Sequence, residues 1–281
     1  MSLTSLARII KRMRFSRFYK FLHRILPAVL IAVVLAVTIA WLNFAPSGLL
    51  GKMDAVGYAV CHRIDARSFH LGDRALPLCS RCSGMHLATF LSLAFQTLYG
   101  KRTKMPPKKI LVVLGVFAAA FALDGINSYM HFFPNGIWLY EPQNWLRLLT
   151  GSGLGIGIAV VLYPIINQVF WKEWQDEAAI ANWKTFFILV GLVALLDLAL
   201  LSDNPIILYP LAVLSGLGVL VTLSLCYGML IVMLIKRENA YKHWRSAWLP
   251  LLAGFLVAIS QTYIIDFFRY LVTGTWGGFN L

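Results

Sequence analysis

Apolar residues in this chain gather into long unbroken runs separated by short polar stretches: Leu26 to Ala45, Gly84 to Gly100, Ile110 to Asn127, Leu146 to Phe170, Phe186 to Leu201, Ile206 to Ile235 and Ala247 to Thr273. A bilayer core needs roughly 20 apolar residues per helical span, and hydrocarbon offers a backbone N–H or C=O no partner outside its own helix. The pattern predicts an all-α integral membrane protein with about seven transmembrane helices. The run from Ile206 to Ile235 exceeds one upright span, so it is expected to tilt or to open with an interfacial turn before Pro210.

Composition agrees. The 281 residues are 59% hydrophobic and 13% charged, with a mean hydropathy of +0.72. That excludes a cytosolic enzyme, and the short loops leave no room for a separate soluble domain, so residues 26–281 read as one helical membrane domain. The net charge of +13 does not indicate a nucleic-acid partner, because the basic residues sit between apolar runs rather than on a folded basic face. They instead give direction. With the N-terminus inside, eighteen of the 25 basic residues and only four of the 12 acids fall on inner segments, which predicts an N-in, C-out protein of a prokaryotic cytoplasmic membrane.

Residues 1–25 read as a basic amphipathic helix, with Ile10, Phe18, Phe21, Leu22 and Ile25 on one stripe and Arg12, Arg17, Lys20 and Arg24 elsewhere. It is expected to lie on the inner leaflet and attract anionic lipid. The long basic region and span-length apolar run favour an uncleaved anchor over a cleaved signal peptide.

Three of the four cysteines fall together: Cys61 beside His62 in the first outer loop, then Cys79 and Cys82 at the mouth of the second run. Two cysteines three apart can bind one metal from a single turn, and Cys61 with His62 would complete a tetrahedral Cys3His site, zinc being the expected ion. A disulfide from Cys61 to Cys79 or Cys82 is the competing reading on an oxidising face, although it leaves one thiol over. Redox exchange at Cys79 and Cys82 is the third. His86, four residues after Cys82 on the same helical face, is an alternative fourth ligand. His70 and His131 are also outer, and Cys226, mid-span, reads as a small apolar residue.

Polar residues within the runs collect toward the outer face: Asp124, Asn127, Asn144, Arg147, Thr150, Asp197, Asp203, Gln261, Asp266 and Arg269. An ionisable group in a span faces the bundle interior and finds a partner; Arg147 with Asp124, and Arg269 with Asp266, are the pairs expected. Arg63, Arg67, Arg74 and Arg81 crowd the outer loop, against the usual depletion there. They either pair locally with Asp65, Asp73 and Glu141 or bind an anion bidentately. Arg63, Arg67, Arg81, Asn127, Asn144 and Arg147 are the candidate ligand-binding residues, with Asp124, Arg147 and Arg81 as candidates for catalysis.

A weak parallel repeat relates Leu123-Asp124 and Leu149 to Gly153 with Leu196-Asp197 and Leu214 to Gly218, making Asp124 and Asp197 counterparts. The glycine ladder Gly151, Gly153, Gly155, Gly157 lies inside a span with no preceding strand, so it reads as close helix packing rather than a dinucleotide loop.

Cys61-His62-Arg63, Arg67-Ser68-Phe69, Leu76 to Gly84, Asp124-Gly125 and Asn144-x-x-Arg147-x-x-Thr150-Gly151 together resemble an uncharacterised family of prokaryotic membrane proteins, domain of unknown function 2085. The resemblance covers about residues 58–160 and implies a helical membrane domain with Cys61, His62, Cys79, Arg81 and Cys82 as its marked positions. It also implies that an aromatic residue often stands where this chain has His86, which favours His62 as ligand. Family members are often shorter, so residues 186–273 are an addition or the second copy. No activity comes with the resemblance. Three functions stay open: a metal-pinned binding or structural protein, an enzyme acting on an anionic phosphate or carboxylate headgroup at the outer face, and a proton- or cation-coupled transporter using Asp124, Asp197 and Asp266.

Overall fold

A computed structural model describes residues 25–133 and 136–278. The expected interfacial helix and its lipid contact lie outside these residues, Ile25 excepted. The chain is mostly helical: α1 (Ile25–Phe44), α2 (Gly48–Val60), α3 (Ser80–Thr97), α4 (Lys108–Met130), α5 (Asn144–Phe170), α6 (Trp183–Leu200), α7 (Pro205–Leu234) and α8 (Trp248–Thr273). Four short strands join them: β1 (His70–Leu71) and β2 (Arg74–Ala75) form an antiparallel hairpin, and β3 (Arg102–Lys104) pairs in parallel with β4 (Gln175–Ala178).

Local chemistry sets the boundaries. The Asn182 and Asn204 side chains accept from the backbone N–H groups of Thr185 and Ile206, capping α6 and α7, and Pro205 opens α7 where its missing N–H costs nothing. Helix α7 runs unbroken for 30 residues through Pro210, so no interfacial turn precedes that proline.

Among the described residues six helices, α1 and α4 to α8, are long and apolar enough to cross a membrane, against the seven runs in the sequence. This is a multi-pass membrane protein. Large apolar side chains such as Val116, Leu195, Leu198 and Val272 point outward, where only lipid would welcome them. The exception is α3, which joins the same two ends of the bundle but buries Ser83, Thr89, Ser92 and Gln96. Two of these are met by α5: the Thr89 hydroxyl and the Gln96 amide donate to the carbonyls of Gly155 (3.2 Å) and Ala159 (3.1 Å), while Ser83 donates to the Leu78 carbonyl (3.0 Å). A helix that polar is sheltered by protein rather than by lipid.

The two backbones approach closely because glycines face the contact. A Cβ on Gly151 would lie 2.1 Å from the Arg81 carbonyl oxygen, and one on Gly155 would lie 2.3 Å from that of Met85. Gly153 faces Phe117 of α4 instead. The ladder thus serves two helix contacts from two faces of α5.

At one end of the bundle β3 and β4 carry ion pairs between Lys104 and Asp176 (2.8 Å) and between Arg102 and Glu177. At the other, Trp41 of α1 donates to the Asp266 carboxylate of α8 (2.9 Å). Helix α2, only 13 residues long and invisible to a search for spans, packs there against α7 and α8 and buries Ala55, Val56 and Tyr58.

The Gly155→Ala substitution is expected to lower stability by about 1–3 kcal/mol, because backbone at the α3–α5 contact cannot yield. Gly115→Ala, whose added carbon meets nothing within 4 Å, is expected to leave it unchanged. Thermal unfolding of the purified protein in detergent compares the two.

Candidate metal centre and cationic cavity

Cys61 ends α2 in extended conformation, Cys79 is the N-cap of α3, and Cys82 lies in that helix's first turn. The approach of these two segments rests on Gly57, where a Cβ would strike the Pro77 carbonyl oxygen at 1.8 Å. The three sulfurs lie within 4.8 Å of one another, and all four cysteines are free, with Cys226 apart in α7. Backbone N–H groups of Arg63 and Cys79 donate to Cys61 Sγ, each at 3.4 Å. Arg63 takes a left-handed conformation (φ 53°), which turns the chain around that sulfur. From below, Arg269 of α8 donates to the carbonyls of Tyr58 and Cys61 (2.8 Å for Cys61) and lies 3.9 Å from the Tyr58 ring centre.

The thiols are unequal. Cys79 is held well below the usual thiol range because Cys61 and Cys82 donate to it, and the Arg81 charge helps. Cys61 is pushed up to about 12, first by its bond to Cys79. One negative charge is therefore easily carried by the cluster, while further deprotonation calls for a cation. Sulfurs on a tetrahedral zinc ion sit about 3.8 Å apart, given bonds of about 2.3 Å. The cluster fits a soft transition metal by distance and by ligand type. Among the described residues no histidine or carboxylate joins the three sulfurs. His62 lies at the edge of the adjoining cavity, and His86 is the helical neighbour below Cys82.

That cavity, of about 580 Å³, is bounded by Cys79, Cys82, Arg67, Arg81, Arg147 and an aromatic wall from α4 and the residues after it. Asp124 anchors it, but its partner is Arg81 and not the expected Arg147. The first turn of α3 brings Arg81 directly under the end of α4, whereas the Arg147 guanidinium turns toward Asn144 (2.8 Å). The Asp124 carboxylate also accepts from the hydroxyls of Tyr140 (2.7 Å) and Thr150 (3.3 Å). Burial and then that bond to Asp124 push the Tyr140 phenol up to about 12.

Ser128, one turn beyond Asp124, is the hub that sequence reading missed. Its hydroxyl receives Arg81 (3.0 Å) and Arg147 (3.4 Å), and its carbonyl receives Arg67 (2.7 Å). A lone serine near the end of an apolar run carries no signal of this role. Burial, then the Arg147 and Arg81 charges, push the Arg67 guanidinium down to about 10.

Other expected residues serve elsewhere. Arg63 and Arg74 both pair with Asp54 inside α2, Arg63 at 2.9 Å, rather than with Asp65 or Asp73. Asp65 meets His70 and Glu141 meets His131, both at the surface. Asn127 pins the 139–140 loop, accepting from Leu139 N–H (2.6 Å) and donating to the Tyr140 carbonyl (2.9 Å). Asn144 donates to the Ala66 carbonyl (3.2 Å). The Asp266 carboxylate accepts from the Trp41 indole, with Arg269, its expected partner, acting on it through charge. Asp197 accepts from Ser152 of α5 (2.6 Å), while Ser215 bonds within its own helix, so the two aspartates of the weak repeat are not held alike.

Comparison with known proteins places residues 61–161 in the family described as "Predicted membrane protein" (DUF2085). An uncharacterized protein of Methanothermobacter thermautotrophicus is 31% identical over 102 residues, spanning 36% of this chain and 83% of the relative. An uncharacterized protein of Methanocaldococcus jannaschii is 25% identical over 123 residues, 43% of this chain and 72% of the relative. No solved structure matches. The matched stretch contains all three clustered cysteines and all three cavity arginines.

Replacing Asp124 by Asn is expected to cost about 3 kcal/mol or more, since it strands the Arg81 charge under the end of α4. Thr150→Ala, which leaves the Arg81–Asp124 pair in place and removes a hydroxyl shared between that carboxylate (3.3 Å) and the Leu146 and Arg147 carbonyls (3.0 and 3.1 Å), is expected to cost about 1 kcal/mol. Denaturation midpoints of the two variants against wild type give the comparison.

Proposed function

The chain belongs to the DUF2085 family of predicted membrane proteins, and we propose that it is a metal-binding protein of a prokaryotic cytoplasmic membrane, N-terminus inside, with Cys61, Cys79 and Cys82 as ligands at the outer end. The convergence of three sulfurs within 4.8 Å, drawn from two segments 18 residues apart, carries this reading. Zinc is the ion we assign, since thiolate donors suit it and it needs no change of oxidation state to bind. It would tie the end of α2 to the start of α3 and so order the outer loop. His62 is the candidate for the fourth position. With that position left open, the ion would supply a Lewis acid at the wall of the cavity. The concentration of lysine and arginine at the β3–β4 end supports the assignment of the thiol end to the outside.

Elemental analysis of protein purified without chelator is expected to give about one zinc per chain, lost in Cys79→Ser and Cys61→Ser and kept in Cys226→Ser. A metal-free protein with a quantitative Cys61–Cys79 or Cys61–Cys82 disulfide would refute the reading. Ligand thiols must lose their protons on binding, and Cys61 in the metal-free cluster holds its proton up to about 12. Metal affinity is therefore expected to fall as pH is lowered, with proton release measurable by calorimetry in buffers of different ionisation enthalpy. Chelator-dependent labelling of Cys79 by an impermeant maleimide on intact cells tests the sidedness.

A further inference from the structure

The arginines around the cavity call for a ligand of their own. Arg67, Arg81 and Arg147 arrive from the 3-10 turn Asp65–Arg67, α3 and α5. Asp124 answers Arg81, but among the described residues neither Arg67 nor Arg147 has a carboxylate within 4.0 Å. Their bonds go to neutral acceptors, the Ser128 carbonyl and hydroxyl and the Asn144 amide. Arg147 is only 6% exposed, and the Arg81 Nε is buried with no hydrogen-bond partner.

Guanidinium groups brought together out of water repel one another, and a shared anion is the usual remedy. A divalent metal on three thiolates carries one net negative charge, so with Asp124 it still leaves one of the three guanidinium charges in excess. The cationic excess thus holds with or without metal.

The opposite wall is apolar. Phe121, Tyr129, Phe132 and Phe133 line it, and Arg67 lies 3.7 Å from the Phe132 ring centre. Tyr129 and Phe133 are also half-exposed on the outer surface of the bundle, beside the lipid-facing side of α4. Aromatic side chains in that position sit where headgroups meet hydrocarbon. A volume of about 580 Å³ exceeds what a bare phosphate fills.

We infer that this cavity binds an anion headed by a phosphate monoester, held by Arg67, Arg81 and Arg147, with an attached hydrocarbon chain lying along the aromatic wall. Charge-assisted bidentate bonds would fix the head, and the rings would take the first methylenes. The site does not rest on the metal reading.

Full-length protein in phosphatidylcholine nanodiscs is titrated with inorganic phosphate and, separately, with dioctanoyl phosphatidic acid, using dioctanoylglycerol as the neutral control. Saturable binding of phosphatidic acid, about tenfold or more tighter than phosphate and absent for the neutral lipid, is the expected result. Arg147→Gln and Arg67→Gln should each weaken it about tenfold or more, and Arg147→Lys less. Equal affinity for phosphate and phosphatidic acid would assign the pocket to a free anion and overturn the chain along the rings. Binding of neither, or binding indifferent to both glutamine variants, would overturn the site. Arg67 lies in the outer loop, so Arg67→Gln serves if Arg147→Gln fails to fold, and unchanged zinc content in it separates loss of the anion site from loss of the metal centre.

Discussion

The contact between α3 and α5 governs the rest of the structure. A helix carrying Ser83, Thr89, Ser92 and Gln96 cannot face lipid, so it must lie against a partner that supplies acceptors and admits its backbone. Helix α5 does both, through the carbonyls of Gly155 and Ala159 and through the absent side chains of Gly151 and Gly155. Because Cys79 caps the start of α3 and α5 begins at Asn144, that packing also brings the thiols and Arg81 beside Arg147. The site is thus an outcome of helix packing.

Charge then orders the thiol-bearing end of the bundle. Asp124 takes Arg81, two hydroxyls converge on the same carboxylate, and Ser128 distributes three guanidinium groups around one turn of α4. The positive excess faces a cavity whose other sides are sulfur and aromatic carbon. In a low dielectric such an arrangement attracts anions strongly, and the same field favours thiolate at Cys79. Metal and anion sites adjoin, yet each has its own donors.

The remaining helices brace this end. Arg269 of α8 holds the last turn of α2 through backbone carbonyls, Trp41 of α1 closes on Asp266, and Asp54 inside α2 gathers Arg63 and Arg74. The loop bearing Cys61 is therefore fastened from beneath by α8 and from within by α2, before any metal is considered.

The membrane class and the apolar helices were legible in the linear pattern, because hydrocarbon leaves a long apolar run one conformation that satisfies its backbone. So was the grouping of Cys61, Cys79 and Cys82, since a three-residue spacing on one helical turn and a short loop restrict how far sulfurs can part. Pairing was not legible. Asp124 has Arg81 and Arg147 both within reach along the chain, and only the crossing of α3 over α5 decides between them. Likewise α2 is too short to announce itself as a span, and Ser128 looks like any serine until three arginines are folded around it. Composition and spacing depend on local geometry and solvent, which the chain carries with it; choice of partner depends on distances between helices, which exist only once they are packed.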